Sequence, residues 1–161
     1  MPRMLQPSPL EVVHGDPLAI LGECATREQL VQFGAWLMSL EAKSAPPDLH
    51  TGHHHAESLY GRSVVLQPNT FLAGLPHKHG ALNVCVGDIT VWTEGKPRQR
   101  LTGAHILASE PGCVRVGFAH APTTWLTVHA NLTGSLDPRV IEHALVEHAE
   151  LLLDRRQEML Q

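Results

Sequence analysis

The chain has 161 residues, 43% hydrophobic and 17% charged, with 12 Lys and Arg against 16 Asp and Glu for a formal charge of −4. That length and apolar share suit one domain able to bury a core, and the low charged fraction argues against a long disordered chain. The acidic balance without a basic stripe argues against nonspecific nucleic-acid binding, and no apolar run reaches the roughly 20 residues of a membrane span.

Residues 1–25 carry Pro2, Pro7, Pro9 and Pro17, each without a backbone donor, and read as an irregular arm. Met1-Pro2-Arg3-Met4 has no signal-peptide core behind it. Thr26 and Gln29 have capping-box spacing, and Leu30, Phe33, Leu37 and Leu40 recur at helical period, which predicts a helix over about 27–43. The breaker Ala45-Pro46-Pro47 ends it, and the polar stretch to 58, with His50, His53, His54 and His55, reads as a loop.

From 59 to 130 short runs rich in Val, Ile, Thr and Leu alternate with turn signals. The predicted strands are 63–67, 70–73, 81–86, 88–94, 99–101, 105–108, 113–119 and 124–129. Gly87-Asp88 and Thr102-Gly103 are among the turns between them. Many short strands at this spacing predict an antiparallel sandwich or barrel. Alternation sets Ile89, Val91 and Thr93 on one face of a strand and Thr90 and Trp92 on the other. Val114, Val116 and Phe118 likewise share a face. Asp137-Pro138 then opens a second helix, with Asp as N-cap and Pro at the first position, predicted to run to about 160. Its apolar stripe includes Ile141, Leu145, Leu151 and Leu152, which pack either on the chain's own barrel and first helix or on a neighbouring chain. The division expected is 1–58 for arm, helix and His-rich loop, 59–130 for the barrel, and 131–161 for the C-terminal helix.

Twelve histidines invite a metal hypothesis. His53-His54-His55 are consecutive and do not converge. His143 and His148, five apart, lie about 140° from one another around a helix. Cys24, Cys85 and Cys113 lack CxxC spacing and read as free thiols, with Cys85 and Cys113 as small core residues rather than nucleophiles.

The run Leu75-Pro76-His77-Lys78-His79-Gly80-Ala81-Leu82-Asn83, with Gly87-Asp88-Ile89-Thr90-Val91 after it, resembles the first motif of a cupin, and Glu110-Pro111-Gly112 resembles the start of the second. Tyr60, Thr93-Glu94, the run from Pro111 to His120, and Trp125-Leu126-Thr127-Val128-His129 are similar to a cupin-like family common in tailed-bacteriophage genomes, over about residues 60–130. The resemblance implies a mainly-β, cupin-type antiparallel jelly-roll barrel, here with one N-terminal and one long C-terminal helix. In cupins two His, a Glu and a later His hold a divalent metal inside the barrel. His77 and His79 keep the His-x-His spacing, but the Glu position is Asn83 and the later His position is Arg115, whose guanidinium has no lone pair to donate. His120 or His129 could rebuild a site for Zn, Fe or Mn. Otherwise His77 and His79 are polar residues at the barrel mouth, hydrogen-bonded to Asn83 or solvent. No cofactor is expected, a divalent metal being the alternative.

The expected function is a non-enzymatic structural or interaction protein, a bacteriophage virion component made in the host bacterial cytoplasm. Its expected partners are itself, as a homo-oligomer, and other virion proteins, with neither nucleic acid nor membrane. The alternatives are a metal-dependent cupin enzyme (oxygenase, isomerase or lyase), in which Arg115 would bind a substrate carboxylate, and a barrel that binds a small ligand without catalysis.

Overall fold

A computed structural model of the chain describes residues 21–41, 50–74 and 76–146. In chain order they form α1 (Arg27–Glu41), β1 (Gly52–Ala56), β2 (Leu59–Leu66), β3 (Thr70–Ala73), β4 (Ala81–Thr93), β5 (Gln99–Ser109), β6 (Arg115–Ala119), β7 (Thr123–Ala130) and α2 (Pro138–Leu145). The strands make one antiparallel sheet in the order β1-β2-β7-β4-β6-β3, with β5 also on β4. The mainly-β expectation is met by this curled sheet. None of the helices described is long and apolar enough to cross a membrane.

β4 organises the curl. Its first half, Leu82–Val86, pairs with β7, and its second half, Ile89–Thr93, pairs with β6, while β5 runs along both. Gly87 stands at the change of partner with φ +150°. It faces Gly103, at φ +80°, across the β4–β5 ladder. Glycine reaches these angles without the steric penalty of a Cβ, so the pair bends the ladder rather than ending it. The predicted turns at Gly87-Asp88 and Thr102-Gly103 are therefore corrected to bends inside two long strands.

The curled sheet has two packed faces. On the outer face of the β4–β6–β3 half, Trp92, Val114, Val116 and Phe118 pack with Leu30 and Phe33 of α1, and Phe71 lies against them. Trp92 is fully buried and its indole Nε1 donates to the Gly22 carbonyl at 2.9 Å. Thr26 and Gln29 form the capping box that starts α1, with the Thr26 amide donating to Gln29 Oε1 and the Gln29 amide to Thr26 Oγ1. Inside the curl, Val64, Leu66, Ile89, Val91, Leu101 and Trp125 form a second cluster with Cys85.

Two boundaries differ from the sequence expectation, and a third lies partly outside the described residues. The His-rich segment is not a loop: His53, His54 and His55 lie in β1, paired with Arg62, Gly61 and Tyr60, so the sheet begins before residue 59. β1 is an edge strand whose histidines are exposed, so it carries no apolar alternation to betray it. The described part of α1 reaches Glu41, and its expected end at 43 lies outside the described residues, as do 42–49. Finally, the second helix does not run on past Leu145. Asp137 caps it by accepting from the Arg139 amide, but Val146 is extended (φ −107°, ψ 145°) and bridges to His77, while the Leu145 carbonyl accepts from the Lys78 amide at 2.7 Å. A β-branched residue with a strand-like partner available favours the bridge over another helical turn. The rest of that predicted helix, with Leu151 and Leu152, lies outside the described residues, as does the arm over 1–20.

Candidate functional site

Register assembles the site on the inner face of the curl. Arg62 of β2 pairs with Thr127 of β7, which pairs with Asn83 of β4, and Thr93 of β4 pairs with Arg115 of β6. Because Val116 and Phe118 pack on the α1 side, the side chain of Arg115 is free to reach the pocket, where it joins the lining. These side chains, with Ser109 at the end of β5, line a pocket of about 130 Å³ whose apolar wall is Val64, Leu72, Ile89 and Trp125. A cavity of on the order of 150 Å³ accommodates benzene, so this one suits a molecule of similar size.

Buried Asn83 is the hub of the polar wall. Its Oδ1 accepts from Trp125 Nε1 (3.3 Å) and from Thr127 Oγ1 (2.9 Å), and its Nδ2 donates to Ser109 Oγ (2.7 Å) and the Leu107 carbonyl (3.4 Å). Arg115 is held beside it: Nη1 donates to Ser109 Oγ at 2.7 Å and Nε to Thr93 Oγ1 at 3.1 Å. Both acceptors are neutral, and among the described residues no carboxylate lies within ion-pairing distance of this guanidinium. The second guanidinium differs. Arg62 Nε stands 3.4 Å from Glu142 Oε1 of α2, and Glu142 is buried.

At the α2 end of the pocket two imidazoles meet. His129 Nε2 and His77 Nδ1 are 2.9 Å apart, so one ring donates its N–H to the other. Both rings are held well below the usual histidine value, to about 4 each. Burial is the main cause for both. The charges of His129, Arg62 and Arg115 add to it for His77, and that of His79 for His129. At neutral pH both rings are uncharged. In the unfolded chain they return to about 6.5, so between roughly pH 6.5 and 4 the unfolded state binds more protons, and stability falls as the solution is acidified. A tenfold change in proton affinity is worth about 1.4 kcal/mol, so the decline by pH 4 is on the order of a few kcal/mol. Urea unfolding across this range should show that decline, and His129→Gln should flatten it. A slope unchanged in His129→Gln would remove the pair as its source.

The candidate residues separate. His77 and His129 come together, and Asn83 and Arg115 share the pocket beside them. His79 is exposed in the bend before β4, and the bonds of Asn83 go to Leu107, Ser109, Trp125 and Thr127, so neither His77 nor His79 has the expected bond to it. His120 follows β6 on the other side of the sheet, where its Nε2 meets Thr90 Oγ1 at 2.7 Å and its ring packs edge-on to Phe118. Ile141 and Leu145, candidates for an interface, are buried against Tyr60 of the same chain, because α2 folds back over that end of the sheet. Sequence reasoning passed over Arg62, Ser109 and Thr127. The spacing Trp125-x-Thr127-x-His129 holds the signal for one of them, since alternation sends all three side chains inward.

As a metal centre the donors do not fit. Among the described residues no three His, Cys, Asp or Glu side chains converge. The amide oxygen of Asn83 is committed to Trp125 and Thr127, and Arg115 brings a fixed positive charge to the same wall.

No protein-family model matches the chain, and no curated protein does. Solved structures do share part of its backbone path. KdgF from Halomonas sp. is similar at a TM-score of 0.46 and 15% identity, over 54% of this chain and 83% of that one. A cupin superfamily protein from Desulfitobacterium hafniense is similar at 0.44 and 8%, over 58% and 86%. An RmlC-like cupin family protein with a double-stranded β-helix fold, from Methanocaldococcus jannaschii, is similar at 0.42 and 10%, over 54% and 84%. These neighbours are cupin-superfamily proteins, and at such scores the likeness assigns this chain neither a family nor an activity. None of them bears on a bacteriophage source or a virion role.

Proposed function

We propose that this chain is a small-molecule-binding protein whose ligand lies inside the curled sheet, bound without a metal. One observation carries the reading: a pocket of about 130 Å³ in which an apolar wall faces a hydrogen-bonded polar wall built from Asn83, Ser109, Thr127 and Arg115. Concave sites of mixed apolar and convergent polar character are where small ligands bind. The metal-dependent enzyme alternative needs a third donor beside His77 and His129, which the described residues do not supply.

A screen of polar organic compounds of up to about seven non-hydrogen atoms, read by NMR, tests the proposal. Binders should shift the Trp125 indole N–H, and Leu72→Phe, which fills the apolar side of the pocket, should weaken them at least tenfold. A screen in which nothing moves that resonance ends the reading.

A scaffold reading, in which the chain self-associates, draws on a different observation. Val84 pairs with Ile106 and Leu82 with Ala108 on the face of β4 and β5 turned away from the pocket, and Leu82, Val86 and Ile106 are exposed there. Sedimentation of the purified chain tests the self-association: a dimer or larger species favours it, and a monomer at high concentration counts against it.

A further inference from the structure

The hydrogen bonds of the polar wall determine what its ligand must offer. Asn83 has both oxygen lone pairs and both N–H groups engaged. Thr127 Oγ1 donates to Asn83 and accepts from Trp125. Ser109 Oγ accepts twice, from Asn83 Nδ2 and Arg115 Nη1, which fills its lone pairs and leaves its own O–H to donate. Arg115 uses Nε and one Nη1 hydrogen, and among the described residues its Nη2 donates to nothing. The capacity left over on this wall is therefore mostly donor, one lone pair of Thr127 Oγ1 being the exception, and one of the donors carries a full positive charge. The carboxylate on the pocket rim, Glu110, is exposed and makes no ion pair with Arg115.

From this we infer that the ligand is a small carboxylate, its oxygens seated on Arg115 Nη2 and the Ser109 hydroxyl and its hydrocarbon body against Leu72, Ile89 and Trp125. The inference rests on the reading of the pocket as a ligand site. A guanidinium fork suits a planar carboxylate, and charge-assisted bonds of this kind are the stronger ones. Inorganic phosphate would satisfy the charge but leave the apolar wall without a partner. Ser109 of β5 and Thr93 of β4 fix the guanidinium in advance, so little side-chain freedom is lost when the ligand arrives.

Titration of the full chain with propionate, propionamide, 1-propanol and inorganic phosphate at constant ionic strength tests the assignment, with the Arg115 Nε–H and Trp125 indole N–H followed by NMR. Propionate is expected to bind at least tenfold more tightly than the other three, and Arg115→Met to abolish that preference. In Arg115→Lys, which keeps the charge and loses the fork, it should fall by about tenfold. Equal binding of propionamide or 1-propanol would overturn the carboxylate assignment while leaving a small-molecule site. Preferential binding of phosphate would overturn it in favour of a simple anion. If none of the four shifts either resonance, both the assignment and the pocket reading fail.

Discussion

Trp92→Ala should lower unfolding stability by about 3–5 kcal/mol, the range for deleting a buried aromatic side chain. Trp92 is fully buried in the layer between the sheet and α1, and its indole donates to the Gly22 carbonyl. The substitution leaves a cavity among Leu30, Phe33, Val116 and Phe118 and an unsatisfied carbonyl in the segment that leads into α1. For a single domain with a total stability of roughly 5–15 kcal/mol, that is enough to populate unfolded chain near body temperature. Urea denaturation measures it, and Trp92→Phe, which keeps most of the apolar area and loses the hydrogen bond, should cost less than half as much. A loss under about 1 kcal/mol for the alanine variant would mean that α1 is not seated on this face.

Gly87→Ala is expected to be nearly as damaging, by about 3 kcal/mol or more, although it adds a single methyl group. At φ +150° the backbone is in a region that side chains rarely adopt. A Cβ there would also stand 2.7 Å from Thr123 Cα and 2.8 Å from the Pro122 carbonyl. Those are backbone atoms and cannot rotate away. Thr123 is buried, and its hydroxyl donates to the Asp88 carbonyl and accepts from the Asp88 amide, so the obstruction falls where β4 changes partner. Gly95→Ala is the matched control, since Gly95 also has positive φ but its Cβ would meet nothing within 4 Å. Thermal unfolding of the two variants separates strain from collision. Equal losses would show that the close approach at Gly87 contributes nothing.

Much of the sheet is legible in the sequence because period-two alternation survives wherever one face meets α1 and the other the interior. Val114, Val116 and Phe118 are the clearest case, since all three lie on the α1 side as their spacing predicts. Two features of the fold are hidden. Gly87 and Gly103 carry the composition of turns while acting as bends, and a single residue type cannot distinguish the two uses. β1 is exposed along its histidines, so hydrophobic pattern has nothing to register. In the site, Asn83 and Arg115 stand out because they differ from the cupin motif that the sequence resembles, whereas Arg62 joins the wall through the pairing of β2 with β7, strands distant in the chain. His77 finds His129 in the same way, across 52 residues. No local window contains such a meeting.

β4 lends its backbone to β5, β6 and β7 at once. Loosening β4 in either half therefore disturbs the strand that the other half also pairs with. Amide hydrogens along Ile89–Trp92 are expected to exchange among the slowest of the described residues, and the sheet closes only once segments far apart in sequence, β2 and β7, have met.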